Sequence, residues 1–420
     1  MTSTQETVPE TTAKPPRFLR LMVFLLPATT GLIALFNGIQ TILIPAQIDR
    51  IDPVHKIGDL AILATFVAIT SMVGIPLGGA LSDRTRSRFG RRTPWLVGTA
   101  IVSGVLMIAL GFAGNLVLLG VLFTALWLTS NMYQGAMLAI LPDRVAEERR
   151  GWAGSLVGLA SPIGVLVGVQ VASHVGQLAG YSIIAVVFIV TAIALVFGAR
   201  EASSVDLPLP ERRTGNIVKG AAEFLSAFRD HDFTLAFVSR FALFLSYATV
   251  SGFLYFTLQD YIGKSNLPGG NPATAVATLL TVTVVAWVLV ATFLGWLADR
   301  IKRRKLFVGI AAVGLAISMF IPIISPTWTG MLVFAVFEGI FIGTYFAVDL
   351  AVMTLVLPNK QQEGRDLGIL SVAVGLPTIL SGAIAGLIIT FLGGYASLYV
   401  FGAIIAIVSG VTVMFIRKIR

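Results

Sequence analysis

The chain has 420 residues, 56% of them hydrophobic and only 12% charged, with a mean hydropathy of +0.88 and a net charge of +9. A water-soluble domain carries roughly 25% charge, so this composition excludes a domain with an ordinary wetted surface. There is no cysteine, which excludes disulfides, iron–sulfur clusters and thiolate zinc sites.

In chain order, a polar, Thr- and Pro-containing tail comes first and reads as a disordered segment over 1–18. It is not a signal peptide, because the apolar run behind it is too long and has no small-residue cleavage pattern. Twelve apolar runs follow, at roughly 19–45, 58–82, 93–113, 116–141, 152–175, 180–199, 233–258, 273–298, 306–325, 328–357, 366–392 and 395–416. Each reaches the length of about 20 residues that a helix needs to cross a bilayer. Several contain Gly and Pro, which spanning helices tolerate. The expectation is an all-α membrane protein with one six-helix bundle over 19–199, a second over 233–416, and a short tail at 417–420.

Residues 200–232 form the only long polar stretch inside the chain and fall where two six-helix halves would join. Ile217, Val218, Ala221, Phe224, Leu225 and Phe228 recur there at helical spacing, which predicts a short amphipathic helix on the inner membrane surface. The halves repeat one another. Gly79-Ala80-Leu81-Ser82-Asp83-Arg84 returns 216 residues later as Gly295-Trp296-Leu297-Ala298-Asp299-Arg300. At the same offset Leu141-Pro142 returns as Leu357-Pro358, Glu147 as Glu363 and Arg149 as Arg365. Repeated, charge-punctuated halves predict two bundles related by pseudo-two-fold symmetry, the build of a secondary transporter.

With both termini in the cytoplasm, the inside segments hold 26 of the 30 Lys and Arg. The outside loops hold only Arg50, Lys56 and Lys264. This positive-inside bias assigns the basic charge to lipid headgroups and argues against nucleic acid. Short loops and the lack of a eukaryotic sorting signal place the chain in a bacterial inner membrane. Glycine pairs four apart, at 74/78, 154/158, 164/168, 339/343 and 382/386, predict close helix packing within a monomer.

The loop GALSDRTRSRFGRRTPW over Gly79–Trp95 resembles the one between helices two and three of the major facilitator superfamily. The likeness is to the branch of sucrose–proton symporters and glycoside–pentoside–hexuronide carriers. It rests on Asp83-Arg84, Ser87-Arg88-Phe89-Gly90-Arg91-Arg92, Pro94 and Trp95, with Asn131-Met132, Gln134-Gly135 and Asp143 in the fourth helix. The resemblance implies the major facilitator fold and a gating role for Gly79, Asp83, Arg84, Arg88, Gly90, Arg91, Arg92, Asp299 and Arg300. Asp83, at the end of its helix, is placed to pair with these arginines and with the N-terminus of a neighbouring helix, a latch expected to hold the outward-open state and to break for the halves to rock. Trp127 and Leu138 stand where sucrose symporters carry an acidic residue and an arginine. No carboxylate lies between Asp59 and Asp83, where melibiose-type carriers bind cations. The resemblance therefore stops short of sucrose itself and of a sodium site of that kind.

Only three charges sit well within apolar runs: Arg240, Glu338 and Asp349. Each costs at least ~2.5 kcal/mol at mid-bilayer, so each is read as functional and cavity-facing. Glu338 and Asp349 are eleven residues apart and share a helix face, separated by about 16 Å. Arg240 and Asp349 stand at similar depth, which predicts a pair that protonation of the carboxylate would release. These three carry the proton-coupling expectation. Uncharged polar stripes carry the substrate expectation: Asn37, Gln40 and Gln47 in helix one, Trp127, Asn131 and Gln134 in helix four, Tyr247, Ser251 and Tyr255 in helix seven, and Thr344 and Tyr345 in helix ten. Amides and aromatic faces suit a neutral sugar. Proton-driven sugar or glycoside uptake is the leading expectation. Proton-exchanging efflux of hydrophobic drugs, faintly suggested by Gly154, Gly158, Pro162 and Gly164, is the rival, and a non-transporting sensor is a third reading. His55, His174 and His231 have no ligand spacing, and no metal motif, nucleophile elbow or phosphate loop occurs, so neither an enzyme nor a cofactor is expected.

Overall fold

Inside a bilayer no water satisfies the backbone, so each apolar run must close its own hydrogen bonds as a helix. The computed structural model describes residues 15–206, 226–301, 304–356 and 363–417, and it has twelve helices long and apolar enough to span a membrane. They are α1 (Phe18–Ile51), α2 (Lys56–Arg84), α3 (Thr93–Gly111), α4 (Leu116–Arg144), α5 (Glu147–His174) and α6 (Gln177–Gly198). The second half holds α7 (His231–Ser251), α8 (Pro272–Gly295), α9 (Arg304–Ile324), α10 (Trp328–Asp349), α11 (Val372–Phe391) and α12 (Gly394–Met414).

Polar side chains start several of these helices. Asn115 accepts the Leu118 amide at 2.8 Å ahead of α4, Thr327 that of Gly330 at 3.1 Å ahead of α10, and Asp230 that of Phe233 at 3.0 Å ahead of α7. A π-helical segment, Ile39–Leu43, interrupts α1 just after Asn37, and another, Thr257–Gly263, follows α7. Such segments re-aim the residues beside them. The amphipathic helix expected in the linker falls mostly on residues 207–225, outside the described residues.

The two halves pack alike. α1 lies against α5 and α6 as α7 lies against α11 and α12, and α2 crosses α4 as α8 crosses α10. Between the halves the main contacts are α2 with α11 and α5 with α8, which a two-fold axis exchanges. Four of the five glycine pairs sit at these crossings. A Cβ on Gly78 would come within 2.1 Å of the Met132 carbonyl oxygen, one on Gly168 within 2.3 Å of that of Ala34, and one on Gly339 within 2.4 Å of that of Thr283. Gly382 and Gly386 face Ala64 and Ala61 across the junction of the halves. The fifth pair corrects the expectation: Gly154 and Gly158 have open space around them, because they stand on the exposed face of α5 while Ala153 beside them is buried. Gly78→Ala is therefore expected to cost ~1–3 kcal/mol or more of stability, while Gly154→Ala leaves the melting temperature in detergent unchanged.

Candidate functional site

The charged groups gather in three places: the loop end of the first half, the interior of the second half, and the end of the molecule opposite the loop. At the loop end Arg92 is buried and joins three helices. Its guanidinium contacts the Asp83 carboxylate at the end of α2, the Ser82 hydroxyl at 2.5 Å, and Asp143 of α4 at 3.0 Å. Arg91 adds a 2.6 Å contact to Asp143 and lies 4.0 Å from Asp83. The segment after α6 folds back to complete the cluster. Glu201 accepts the Arg92 amide at 2.9 Å and the Thr93 amide at 3.1 Å, and Ser204 accepts the Ser87 amide at 3.0 Å.

Gly90 is required here twice over. Its φ is +95°, and a Cβ would meet the Glu201 carboxylate at 2.3 Å. The expected gating set is thus only partly drawn together. Arg84 and Arg88 are exposed and form no ion pair among the described residues; Arg88 stacks on Phe89. Ser82, Asp143 and Glu201 complete the cluster although none was assigned to it. In the second copy, the Asp299 side chain lies outside the described residues and Arg300 is exposed. Arg92→Ala leaves Asp83 and Asp143 with only the partly exposed Arg91 between them. It is expected to cost ~1–3 kcal/mol of stability, the carboxylates being partly solvated, against almost nothing for Arg84→Ala, by thermal melting.

In the second half, Arg240 Nη1 of α7 donates to Asp349 Oδ1 of α10 at 2.9 Å. Both are nearly buried, beside a cavity of about 20 Å³, and Tyr345 hydrogen-bonds the same carboxylate. Arg240 also touches Met353 Sδ and lies over the Phe244 ring, while its Nε is buried without a partner. Glu338, on the same helix, accepts from Thr283 Oγ1 at 3.4 Å beside a second cavity of about 10 Å³ lined by Ser251 and Thr283. Both cavities are on the scale of a single water.

The polar stripes divide. The Asn131 amide is taken up by the Ser71 hydroxyl at 3.3 Å and the Trp127 carbonyl at 2.8 Å, and the Trp127 ring packs between Phe36 and Phe123. Asn37 donates to the Ile33 carbonyl at 3.0 Å, and Tyr247 pairs with Ser251. Gln40 and Gln134 are half-buried with no side-chain hydrogen bond among the described residues. Gln47, also read as part of the stripe, is a structural clasp instead: it bonds the Leu110 and Ala113 carbonyls and Tyr181 at 2.8, 2.9 and 2.9 Å.

The third cluster went unseen in the sequence. Lys56 Nζ, at the start of α2, bridges Asp49 at 3.0 Å and Asp260 of the other half at 2.8 Å, and lies over the Phe256 ring. Gln259 donates to Asp49 at 2.6 Å, Lys264 approaches it at 3.7 Å, and Tyr395 donates to Asp260 at 2.9 Å. Gln170 to Thr281 at 2.9 Å adds a deeper tie. These contacts tie the two halves together at the end opposite the basic loop. The one signal in the sequence was a lysine standing almost alone among acids at that end.

A twelve-span bundle pair of this topology, closed at one end and carrying buried charges in its interior, is a membrane transporter and not an enzyme. The chain belongs to the major facilitator superfamily, whose family model matches residues 28–277 and 236–420. Among curated proteins it is similar to a lactose permease of Leuconostoc lactis, with 24% identity over 249 residues, covering 50% of this chain and 37% of that protein. A lactose permease of Lactobacillus delbrueckii subsp. bulgaricus is 26% identical over 280 residues, covering 60% of this chain and 43% of that protein. The matched stretches thus span well under half the length of either relative. The likeness agrees with the glycoside–pentoside–hexuronide resemblance of the loop. Among solved structures, a peptide transporter POT crystallised with sulfate superposes with a TM-score of 0.73 at 14% identity, covering 94% of both chains, which shows the shared fold.

Proposed function

We propose that this transporter takes up a sugar or glycoside together with a proton by alternating access. The single observation that carries the coupling is the Arg240–Asp349 contact between α7 and α10, beside a water-sized cavity. A carboxylate held by an arginine in one state and protonated in the other couples proton movement to rocking of the halves. Glu338, buried on the same helix, is the second proton carrier. For the solute, Gln40 and Gln134 offer unspent amides and Tyr345 and Tyr247 offer aromatic faces, and both lactose permeases named above are similar in sequence. The basic bias, 26 of 30 Lys and Arg on one side, sets that side in the cytoplasm of a bacterial cell, with both termini inside. The bundles then comprise 19–199 and 233–416, linked through 200–232, and this state is closed to the outside.

Purified protein in sealed vesicles tests the reading. Acid outside is expected to drive accumulation of labelled lactose above its external level, and a protonophore collapses it. Absence of gradient-driven uptake across a panel of disaccharides and glycosides overturns the proposal. Drug-driven loss of an acid interior would establish efflux in its place.

A further inference from the structure

A large cavity lies on the membrane face of the first half and belongs to none of the three clusters. It is a groove of about 610 Å³ between α2 and α4. Its walls are apolar and open to lipid: Ile62, Phe66, Val117 and Val121 are all more than half exposed, Val117 by 78%. At its head stands one carboxylate. Asp59 lies in the first turn of α2, and its Oδ2 is buried without a hydrogen-bond partner. The nearby bases are committed elsewhere, Lys56 to Asp49 and Asp260, and His55 to Asp52.

From Leu116 to Leu128 the α4 wall runs twelve residues, about 18 Å, close to one leaflet's share of a hydrocarbon core of about 30 Å. We propose that the groove seats a phospholipid with a primary-ammonium headgroup, its acyl chain along the walls and its ammonium donating to Asp59. Acyl chains are as content in bulk lipid as in an apolar groove, so the walls supply shape and the carboxylate supplies selection. A primary ammonium carries both the opposite charge and the N–H donors that this half-buried carboxylate lacks. An anionic glycerol headgroup brings like charge, and a quaternary choline brings charge without a donor. The inference is independent of the transported solute and of the coupling residues.

Native mass spectrometry of the full chain in detergent, with phosphatidylethanolamine, phosphatidylglycerol and phosphatidylcholine added in turn, tests it. Wild type is expected to retain the ethanolamine lipid about tenfold over the glycerol lipid, the ratio one charged hydrogen bond supplies. Asp59→Asn removes that preference. Thr124→Phe, which fills the groove and leaves the carboxylate in place, lowers retention of the ethanolamine lipid, and so carries the test if Asp59→Asn fails to fold. Equal retention of all three lipids by wild type, an unchanged preference in both variants, or a preference for the glycerol lipid overturns the proposal.

Discussion

Asp349→Asn is expected to abolish acid-driven accumulation, by about tenfold or more, while solute exchange between the two sides continues. Asparagine cannot bind and release a proton, so loading no longer follows the gradient, but its side chain has nearly the same size and shape, so solute exchange needs no repacking. The substitution also strips Arg240 of its counter-charge. Removing one partner of a buried pair costs ~3–5 kcal/mol, and an asparagine that keeps an acceptor oxygen stays near the lower figure. The two effects separate in the double variant. Arg240→Gln with Asp349→Asn is expected to regain melting temperature, since no charge is left unpaired, without regaining accumulation. Counterflow of labelled sugar, gradient-driven uptake and melting in detergent are the three readings. Full accumulation by Asp349→Asn would remove this residue from the coupling and move attention to Glu338.

Lys56→Gln is expected to open the end of the molecule away from the basic loop. Lys56 is the one cation that touches a carboxylate on each half there, at 3.0 and 2.8 Å, and its side chain is only 12% exposed. Without it Asp49 and Asp260 face each other across the junction. Losing a charged hydrogen bond at a partly wetted site costs about 2 kcal/mol, close to a thirtyfold shift of population toward the opened state. The absence of cysteine makes the test clean. Spin labels on Val54→Cys and Ser265→Cys, one exposed position on each half, report the separation directly. The distance distribution should gain a longer component in Lys56→Gln and keep the short one in Lys264→Gln, since Lys264 stands at 3.7 Å from Asp49 and is largely exposed. High salt should favour the longer component in wild type as well, because the ion pairs are partly open to solvent.

Legibility in the sequence followed the range of each interaction. The spans were readable because twenty apolar residues in a row have one way to satisfy their backbone in lipid. The doubling was readable because the two copies stand at one offset. Arg240 and Asp349 were readable as partners because a lone charge deep in an apolar run is too costly to be there without one. Glu201 was not readable. It stands after α6, more than a hundred residues from Arg92, and only the return of the chain beneath Gly90 brings its carboxylate to that amide. The partners of Gln47 and Asn131 were not readable either: an amide on a membrane helix looks identical in sequence whether it meets a solute or a neighbouring carbonyl.

The sequence by itself determined that this chain is a doubled, twelve-helix membrane protein, because hydrophobic length and repetition act along the chain and need no partner. Only the tertiary structure decided which charges meet. It turned Gly154 and Gly158 to open space, left Arg84 and Arg88 outside the Arg92 cluster, and brought Lys56 against Asp260 from 204 residues away. Hydrogen bonds and contact ion pairs form only within a few ångströms, and the distance between residues on different helices is set by packing of the whole bundle.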